Sequence, residues 1–371
     1  MSFSPEDERF MLRALEIARR GVMGAHPNPM VGAVVARSGR IVGEGAHLRF
    51  GGPHAEINAI RDAGAAARGA TLYVTLEPCS SCGKTPPCSE AIIKAGIRGV
   101  VFGARDPNPA NCGRAARVLR AAGIKTRAGL LAKRCGALNP GFNKLMREGL
   151  PYVTAKIAQS LDGRVADRLG NSRWITGAES RRFVHRLRAE SDAVITGIGT
   201  VLSDNPMLNA RLPGARQPLR VVADTELRIP VSCDMVKTAR EHPLLVACSS
   251  DAPAAKRRAL EKAGCGVLAF KTGGRVPLAP LMRELGRRGI AYAMLESGPA
   301  LCGAFSDAGL VDKFIFISAP AVFGGGKALP SLGGRGIARV SGGLLGLRLE
   351  NVSVRMCGGD IVAEGHVHRN N

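Results

Sequence analysis

Apolar residues recur along this chain with two alternating periods. Near the start, Phe10, Met11, Ala14, Leu15 and Ala18 fall three or four apart and predict one buried helix face. Ser4, Pro5 and Asp7 before them supply an N-cap, a first helical residue and an acidic first turn. The run PMVGAVVARSGRIVGEGA then reads as a hairpin turning at Ser38-Gly39. HAEINAIRDAG predicts a helix that opens after Pro53 and stops at Gly64, and ATLYVTL predicts a strand. SEAIIKAG is a short helix closed by Gly96, VVFGA a strand, and GRAARVLRAAG with IKTRAG a further helix and strand. A helical stretch, GFNKLMREG, runs into Gly149-Leu150-Pro151, the best candidate for a domain boundary.

Beyond it the alternation restarts with YVTAKIAQSLDG. Helix patterns appear at AESRRFVHRLRAE, AAKRRALEKAG, LAPLMRELGRRG and GPALCGAFSDAG, and strand patterns at DAVITGI, PLRVVAD, PLLVAC, IAYAMLES and KFIFISAPAV. Strand–helix repetition of this kind argues for α/β layers with helices covering a sheet. Two α/β domains, 1–149 and 150–371, account for the whole pattern.

Composition changes this picture little. The chain is 45% hydrophobic, with no apolar run near the ~18 residues that span a bilayer and no signal-peptide pattern, so a cytoplasmic protein is expected. Its net charge of +22 invites a nucleic-acid reading. That charge is divided evenly: residues 1–150 carry 22 basic and 11 acidic residues, the remainder 30 and 19. With three Tyr and one Trp, few platforms exist for stacking bases. A generally basic, Arg-rich composition and phosphate-bearing small ligands in each half are both left as accounts of the charge, and no nucleic-acid or membrane partner is expected.

Cysteine placement changes more. Seven of the ten stand singly, as buried thiols would, but EPCSSCGKTPPC holds Cys79, Cys82 and Cys88. Pro53-His54-Ala55-Glu56 opens the second predicted helix. An imidazole and two thiolates hold zinc while leaving a position for water, and a nearby carboxylate that does not bind the metal moves the proton to the departing amine. The H-x-E then P-C-x-x-C signature of zinc deaminases is met by His54, Glu56, Pro78, Cys79 and Cys82. Residues two apart on a helix do not share a face, so His54 can meet metal while Glu56 points to substrate. A closed structural site using His54 and all three cysteines is the competing reading.

The second half carries no such signature. Gly197-Ile198-Gly199 lacks the third glycine of a dinucleotide fingerprint, and Ala328 replaces the Ser/Thr that a P-loop needs after Lys327. Only the stretch from Glu296 to Ala304, ESGPALCGA, is suggestive. It ends a strand and opens a helix through small residues, which suits either close approach to a phosphate or close helix packing.

HPNPMVGAVV, PHAE, TLEPCSSCGKTPPC and ARDPNP together resemble the bifunctional riboflavin-biosynthesis deaminase–reductase family. AKIAQSLDGRVA, NSRWITG, VITGIGTVLSDNPML, PLRVVAD and ESGPALCGAF extend the resemblance over nearly the whole chain. It implies a cytidine-deaminase-like three-layer domain followed by a dihydrofolate-reductase-like domain. The implied first reaction is zinc-dependent deamination of 2,5-diamino-6-ribosylamino-4(3H)-pyrimidinone 5′-phosphate. NADPH-dependent reduction of the ribosyl chain to ribityl follows. In that family the second thiolate follows T-P-P, which makes the ligands His54, Cys79 and Cys88, with Glu56 as proton shuttle. Two physical points agree: Cys88 stands where a helix begins, and Pro86-Pro87 fixes the approach to it. Cys82 then becomes a neighbouring thiol. Asn28 and His47 are implied to line the substrate pocket. In the second domain the implied cofactor contacts are Ala158, Trp174, Thr200, Asp204, Thr225 and Gly298, Pro299, Ala300, Leu301, Cys302, Gly303 and Ala304. Its implied substrate contacts are Ser172, Arg188, Leu208, Arg211 and Glu296, the two arginines suiting a ribose phosphate. A homo-oligomer is expected. The rivals from other classes are a polynucleotide-editing deaminase and a basic, zinc-stabilised nucleic-acid-binding protein, both predicting salt-sensitive RNA or DNA binding.

Overall fold

The computed structural model describes residues 2–80, 86–109, 111–172, 174–336 and 347–368. Cys82, on which the shorter metal-ligand spacing rests, lies outside them. The chain divides into two compact units, Met1–Gly149 and Leu150–Asn371.

In the first unit, strands β1 (Gly32–Arg37), β2 (Arg40–Ala46), β3 (Thr71–Leu76), β4 (Gly99–Ala104) and β5 (Lys125–Ala128) form a sheet in the order β2-β1-β3-β4-β5. The β1–β2 hairpin turns at Ser38 and Gly39, both left-handed (φ 49° and 76°), as the sequence predicts. Helix α1 (Pro5–Ala18) starts in a capping box: the Ser4 hydroxyl accepts the Asp7 N–H, and the Asp7 carboxylate accepts the Ser4 N–H. Its Phe10, Met11, Ala14 and Ile17 pack with Val34, Ala36, Tyr73 and Val101. The opposite sheet face, through Ala33, Val35, Leu72 and Val74, takes helix α2 (Ala55–Ala63) through Ala55, Ala59 and Ala63. Three layers result, so strand β1 is buried over five of its six residues.

Helix α2 lies unusually close to the sheet. A Cβ on Gly45 would stand 2.3 Å from the Ala55 carbonyl oxygen, and one on Gly43 would stand 2.4 Å from that of Ala59. Glycine at both positions sets the depth of α2, and with it the positions of His54 at its N-cap and Glu56 in its first turn.

The second unit contains, in chain order, β6 (Tyr152–Ser160), β7 (Arg164–Ala166), β8 (Ala193–Gly197), β9 (Leu219–Ala223), β10 (Leu244–Ser249) and β11 (Gly266–Phe270). These are followed by β12 (Tyr292–Leu295), β13 (Lys313–Ala319), β14 (Leu329–Pro330), β15 (Leu349–Cys357) and β16 (Asp360–Val367). Among the described residues nine of them form one sheet, ordered β11-β10-β9-β8-β12-β6-β13-β16-β15, while β14 pairs with β7. The sheet is parallel from β11 to β13 and antiparallel over β13, β16 and β15. Apolar clusters cover both faces. The pattern reading finds six of the seven parallel strands and misses β11, the short β7 and β14, the β15–β16 hairpin and the helices Ala132–Ala137, Ile198–Asp204 and Asp234–Lys237. The hairpin escapes because β15 is exposed along most of its length, which removes the burial contrast that alternation reports.

Candidate active sites

The first site lies in the N-terminal unit, where two segments meet. His54 precedes α2, while Cys79 follows β3 and Cys88 opens helix α3 (Cys88–Lys94) behind Pro86-Pro87. His54 Nδ1 is 3.2 Å from Cys88 Sγ and 3.5 Å from Cys79 Sγ, and the Cys88 N–H donates to Cys79 Sγ at 3.3 Å. One ligand atom from each lies within 4.8 Å of the others. One imidazole and two thiols at such separations fit a tetrahedral zinc ion with one position left for a non-protein ligand. Hydrogen bonds from Cys88 and His54 hold the Cys79 thiol well below its ordinary value, which suits a metal-binding thiolate. Glu56, 4% exposed, is pushed up by burial, as befits a carboxyl that takes up and gives back a proton.

These residues open on a cavity of about 290 Å³ lined also by Asn28, Val31, His47, Phe50, Glu77, Asp106, Asn108, Asn111 and Phe142. Buried His47 donates from Nδ1 to the Pro53 carbonyl (3.0 Å), so its Nε2 is left to accept from the Asn28 amide (3.1 Å). Burial lowers its pKa, consistent with a neutral ring. The sequence-predicted Asn28, His47, His54, Glu56 and Cys79 thus share one cavity, with Cys88 beside it. Glu77, Asp106, Asn108 and Asn111 were not singled out from sequence, although they stand inside the quoted TLEPC and ARDPNP stretches.

In the C-terminal unit Thr200, Thr225 and the segment from Glu296 to Ala304 follow the carboxyl ends of parallel strands β8, β9 and β12, where open α/β sheets receive ligands, while Arg188 comes from the helix Ala178–Glu190. Glu296 follows β12, and its N–H continues the ladder onto Ile195. Its carboxylate takes a two-point bond from Arg188 Nε and Nη2 (2.9 and 3.0 Å) and lies 2.7 Å from Lys156 Nζ on β6. Burial pushes this carboxyl up, but Arg188 and Lys156 together outweigh burial and hold it far below the ordinary range. Lys156 is the residue that sequence reasoning missed; only its place in AKIAQSLDG hinted at it.

Other predicted residues meet in pairs. The Gly298 N–H donates to Thr200 Oγ1 at 3.1 Å, and the Ser172 hydroxyl lies 3.5 Å from the Asp204 carboxylate. Thr225 Oγ1 accepts the Val276 N–H at 3.1 Å. Ala158 sits on β6 opposite Ile317. Trp174 is 71% exposed beneath the Arg181 guanidinium, and Arg211 is exposed. Leu208 is buried with left-handed φ 50°. Gly298 is the N-cap of helix Pro299–Asp307, whose Cys302 and Gly303 are buried. A Cβ on Gly303 would fall 2.1 Å from the Gly333 carbonyl carbon, so close packing is one demonstrated use of this glycine.

Two family models match separate stretches of the chain. The family described as the cytidine and deoxycytidylate deaminase zinc-binding region matches residues 4–104, and the RibD C-terminal domain family matches 151–363. The chain is therefore a two-part enzyme that joins a zinc-dependent deaminase to an NADPH-dependent reductase of dihydrofolate-reductase-like fold. It is 40% identical to the riboflavin biosynthesis protein RibD of Actinobacillus pleuropneumoniae over 96% of this chain and 94% of that one. With RibD of Escherichia coli it shares 42% over 86% and 89% of the two chains. Among solved structures, Acinetobacter baumannii RibD matches at 37% identity, covering 98% of this chain and 99% of that one with a TM-score of 0.88. A diaminohydroxyphosphoribosylaminopyrimidine deaminase/5-amino-6-(5-phosphoribosylamino)uracil reductase of Thermotoga maritima matches at 34% identity, 98% and 99% coverage and a TM-score of 0.84. The chain belongs to the family of the bifunctional riboflavin biosynthesis protein RibD.

Proposed function

We propose that the N-terminal unit deaminates 2,5-diamino-6-ribosylamino-4(3H)-pyrimidinone 5′-phosphate and that the C-terminal unit reduces the ribosyl chain of the product to ribityl. The convergence of His54, Cys79 and Cys88 beside buried Glu56 carries this reading. In it, His54, Cys79 and Cys88 hold Zn2+, which when bound makes a water easier to deprotonate near neutral pH. Glu56, off the metal and out of water, holds the proton and passes it to the departing amine. Asn28 and the fixed neutral His47 orient the pyrimidine and its ribose phosphate.

In the second unit Ala158, Trp174, Thr200, Asp204, Thr225 and the segment from Gly298 to Ala304 would hold NADPH, which supplies the hydride. Ser172, Arg188, Leu208, Arg211 and Glu296 would hold the sugar phosphate. The Arg188–Glu296–Lys156 group fixes the guanidinium in place, and of the two arginines proposed here exposed Arg211 has the greater freedom to reach a phosphate. The product of the first unit is the substrate of the second, so one chain carries both steps.

The protein is further proposed to work in the cytoplasm on small phosphorylated molecules, without nucleic acid. All nine cysteines among the described residues are unpaired, as a reducing compartment favours. A homo-oligomer is supported by outermost strand β15, whose Val352, Val354 and Met356 are 58%, 66% and 63% exposed.

The test is to supply the pyrimidine with and without NADPH. Ammonia is expected in both cases and NADPH oxidation only after deamination. Glu56→Gln should keep its zinc and lose ammonia release by about 10²–10⁴-fold, because only proton transfer is removed. Near-normal release by that variant would overturn the mechanism.

A further inference from the structure

Glu77 joins two parts of the N-terminal cavity and has no role in the scheme above. It follows β3 two positions before Cys79, and its backbone N–H extends the β3–β4 ladder to the Ala104 carbonyl at 2.9 Å. Its side chain, in a residue 2% exposed, reaches a different segment. Oε2 accepts the Gly113 N–H at 3.0 Å and lies 3.5 Å from the Asp106 N–H, a weaker contact. Those two amides bracket the segment that puts Asp106, Asn108 and Asn111 into the cavity wall. The segment is braced internally as well: the Asp106 carboxylate accepts the Asn108 N–H (2.9 Å) and the Asn111 side-chain amide (3.1 Å). One carboxylate therefore fastens both ends of a loop to the strand that leads into a proposed metal ligand. Its other oxygen, Oε1, is buried with no hydrogen-bond partner among the described residues.

We infer that Glu77 is a positioning residue for deamination, holding the 106–113 wall of the cavity at a fixed place relative to Cys79. The inference rests on the reading of this cavity as the deaminase site. A short loop without regular structure keeps its place through few bonds, and a carboxylate accepting backbone N–H is among the stronger ones. Once released, the wall presents its polar groups to substrate in the wrong place, while His54, Cys79 and Cys88 still meet. The loss therefore falls on KM more than on kcat. Because Oε1 has no partner among the described residues, glutamine at this position keeps the bonded oxygen and alters only the other one.

The full-length chain carrying Glu77→Met or Glu77→Gln tests this with the phosphorylated diaminopyrimidine as substrate. Glu77→Met should raise KM for ammonia release roughly tenfold or more with kcat little changed. Zinc content should stay at the wild-type level, and so should NADPH oxidation on the deaminated intermediate. Glu77→Gln should stay within about threefold of wild type in both KM and kcat. A wild-type KM in Glu77→Met overturns the inference. So does a folded Glu77→Gln that loses kcat, which would make the charge part of the chemistry, or one whose KM rises tenfold; this variant decides the matter if Glu77→Met does not fold. Failure of the underlying reading looks different: the wild type releases no ammonia, or Glu56→Gln releases it normally.

Discussion

The two units keep their charged functional groups in opposite ways. In the N-terminal unit, His54, Cys79 and Cys88 have one another as neighbours around a position that an external ion fits, and buried Glu56 is pushed up by burial, an effect the His54 imidazole offsets in part. In the C-terminal unit, Glu296 is already neutralised by Arg188 and Lys156, all three side chains being 10–14% exposed. The first arrangement has the donor set of a metal site, whereas the second is completed by its own side chains. A metal site needs particular donor atoms and so leaves a motif. A site for an organic cofactor uses backbone, small residues and shape, which many sequences can supply.

The sharpest break of this comparison is at Cys88. Cys88→Ser should abolish zinc retention and ammonia release while leaving NADPH oxidation on the deaminated intermediate, and Cys82→Ser should preserve both activities. Metal analysis beside the two assays decides it. Loss in both variants would restore the closed four-ligand site, and loss in Cys82→Ser alone would hand the site to the shorter spacing.

The next effect belongs to the second unit. Glu296→Ala leaves Lys156 and Arg188 as adjacent, largely buried like charges, and should destabilise that unit by about 3–5 kcal/mol. The single tryptophan, Trp174, lies there, so its fluorescence during urea unfolding reports on that unit. The pH dependence has a definite sign. Because the folded-state carboxyl titrates below its unfolded value, its contribution is fully present above about pH 4.3 and disappears as pH falls toward the folded value. In Glu296→Ala the acid-side loss of stability should be correspondingly shallower. An unchanged acid profile would mean that the ion group does not hold this unit together.

The smallest expected effect sharpens the contrast from the N-terminal side. Ser4→Ala removes the side-chain half of the α1 capping box and should cost about 1 kcal/mol. Zinc content and both activities should be untouched, because α1 packs on the sheet face away from α2. A loss of zinc in Ser4→Ala would show that the two faces are coupled.

Much of the fold was legible because local physics and burial agree. Ser4 and Asp7 form the predicted cap, Ser38-Gly39 the predicted turn, and α2 begins where Pro53-His54 places it. The proximity of His54, Cys79 and Cys88 was legible for a related reason, since imidazole and thiols at these spacings have few uses besides holding a metal. With Cys82 outside the described residues, the choice among thiols rests on the proximity of Cys79 and Cys88 to His54. The β15–β16 hairpin was not legible, because an exposed outer strand lacks a buried face to mark it.

Sequence by itself determined the alternation of elements, the two-unit order and the chemical type of the first site, all of which depend on neighbours within a few turns or on rare donor atoms. Only tertiary structure decided which distant groups meet. Arg220 looks like any strand cation in PLRVVAD, yet it is fully buried, donating to the carbonyls of Met207, Met235 and His242. Lys156 and Glu296 lie 140 positions apart in the chain and become partners because β12 pairs with β6. Glu77 reads as part of a cysteine motif until β4 brings the 106–113 segment against it. A charged side chain's role follows from the partners that replace its water, and those partners are set by strand order, which local periodicity does not encode.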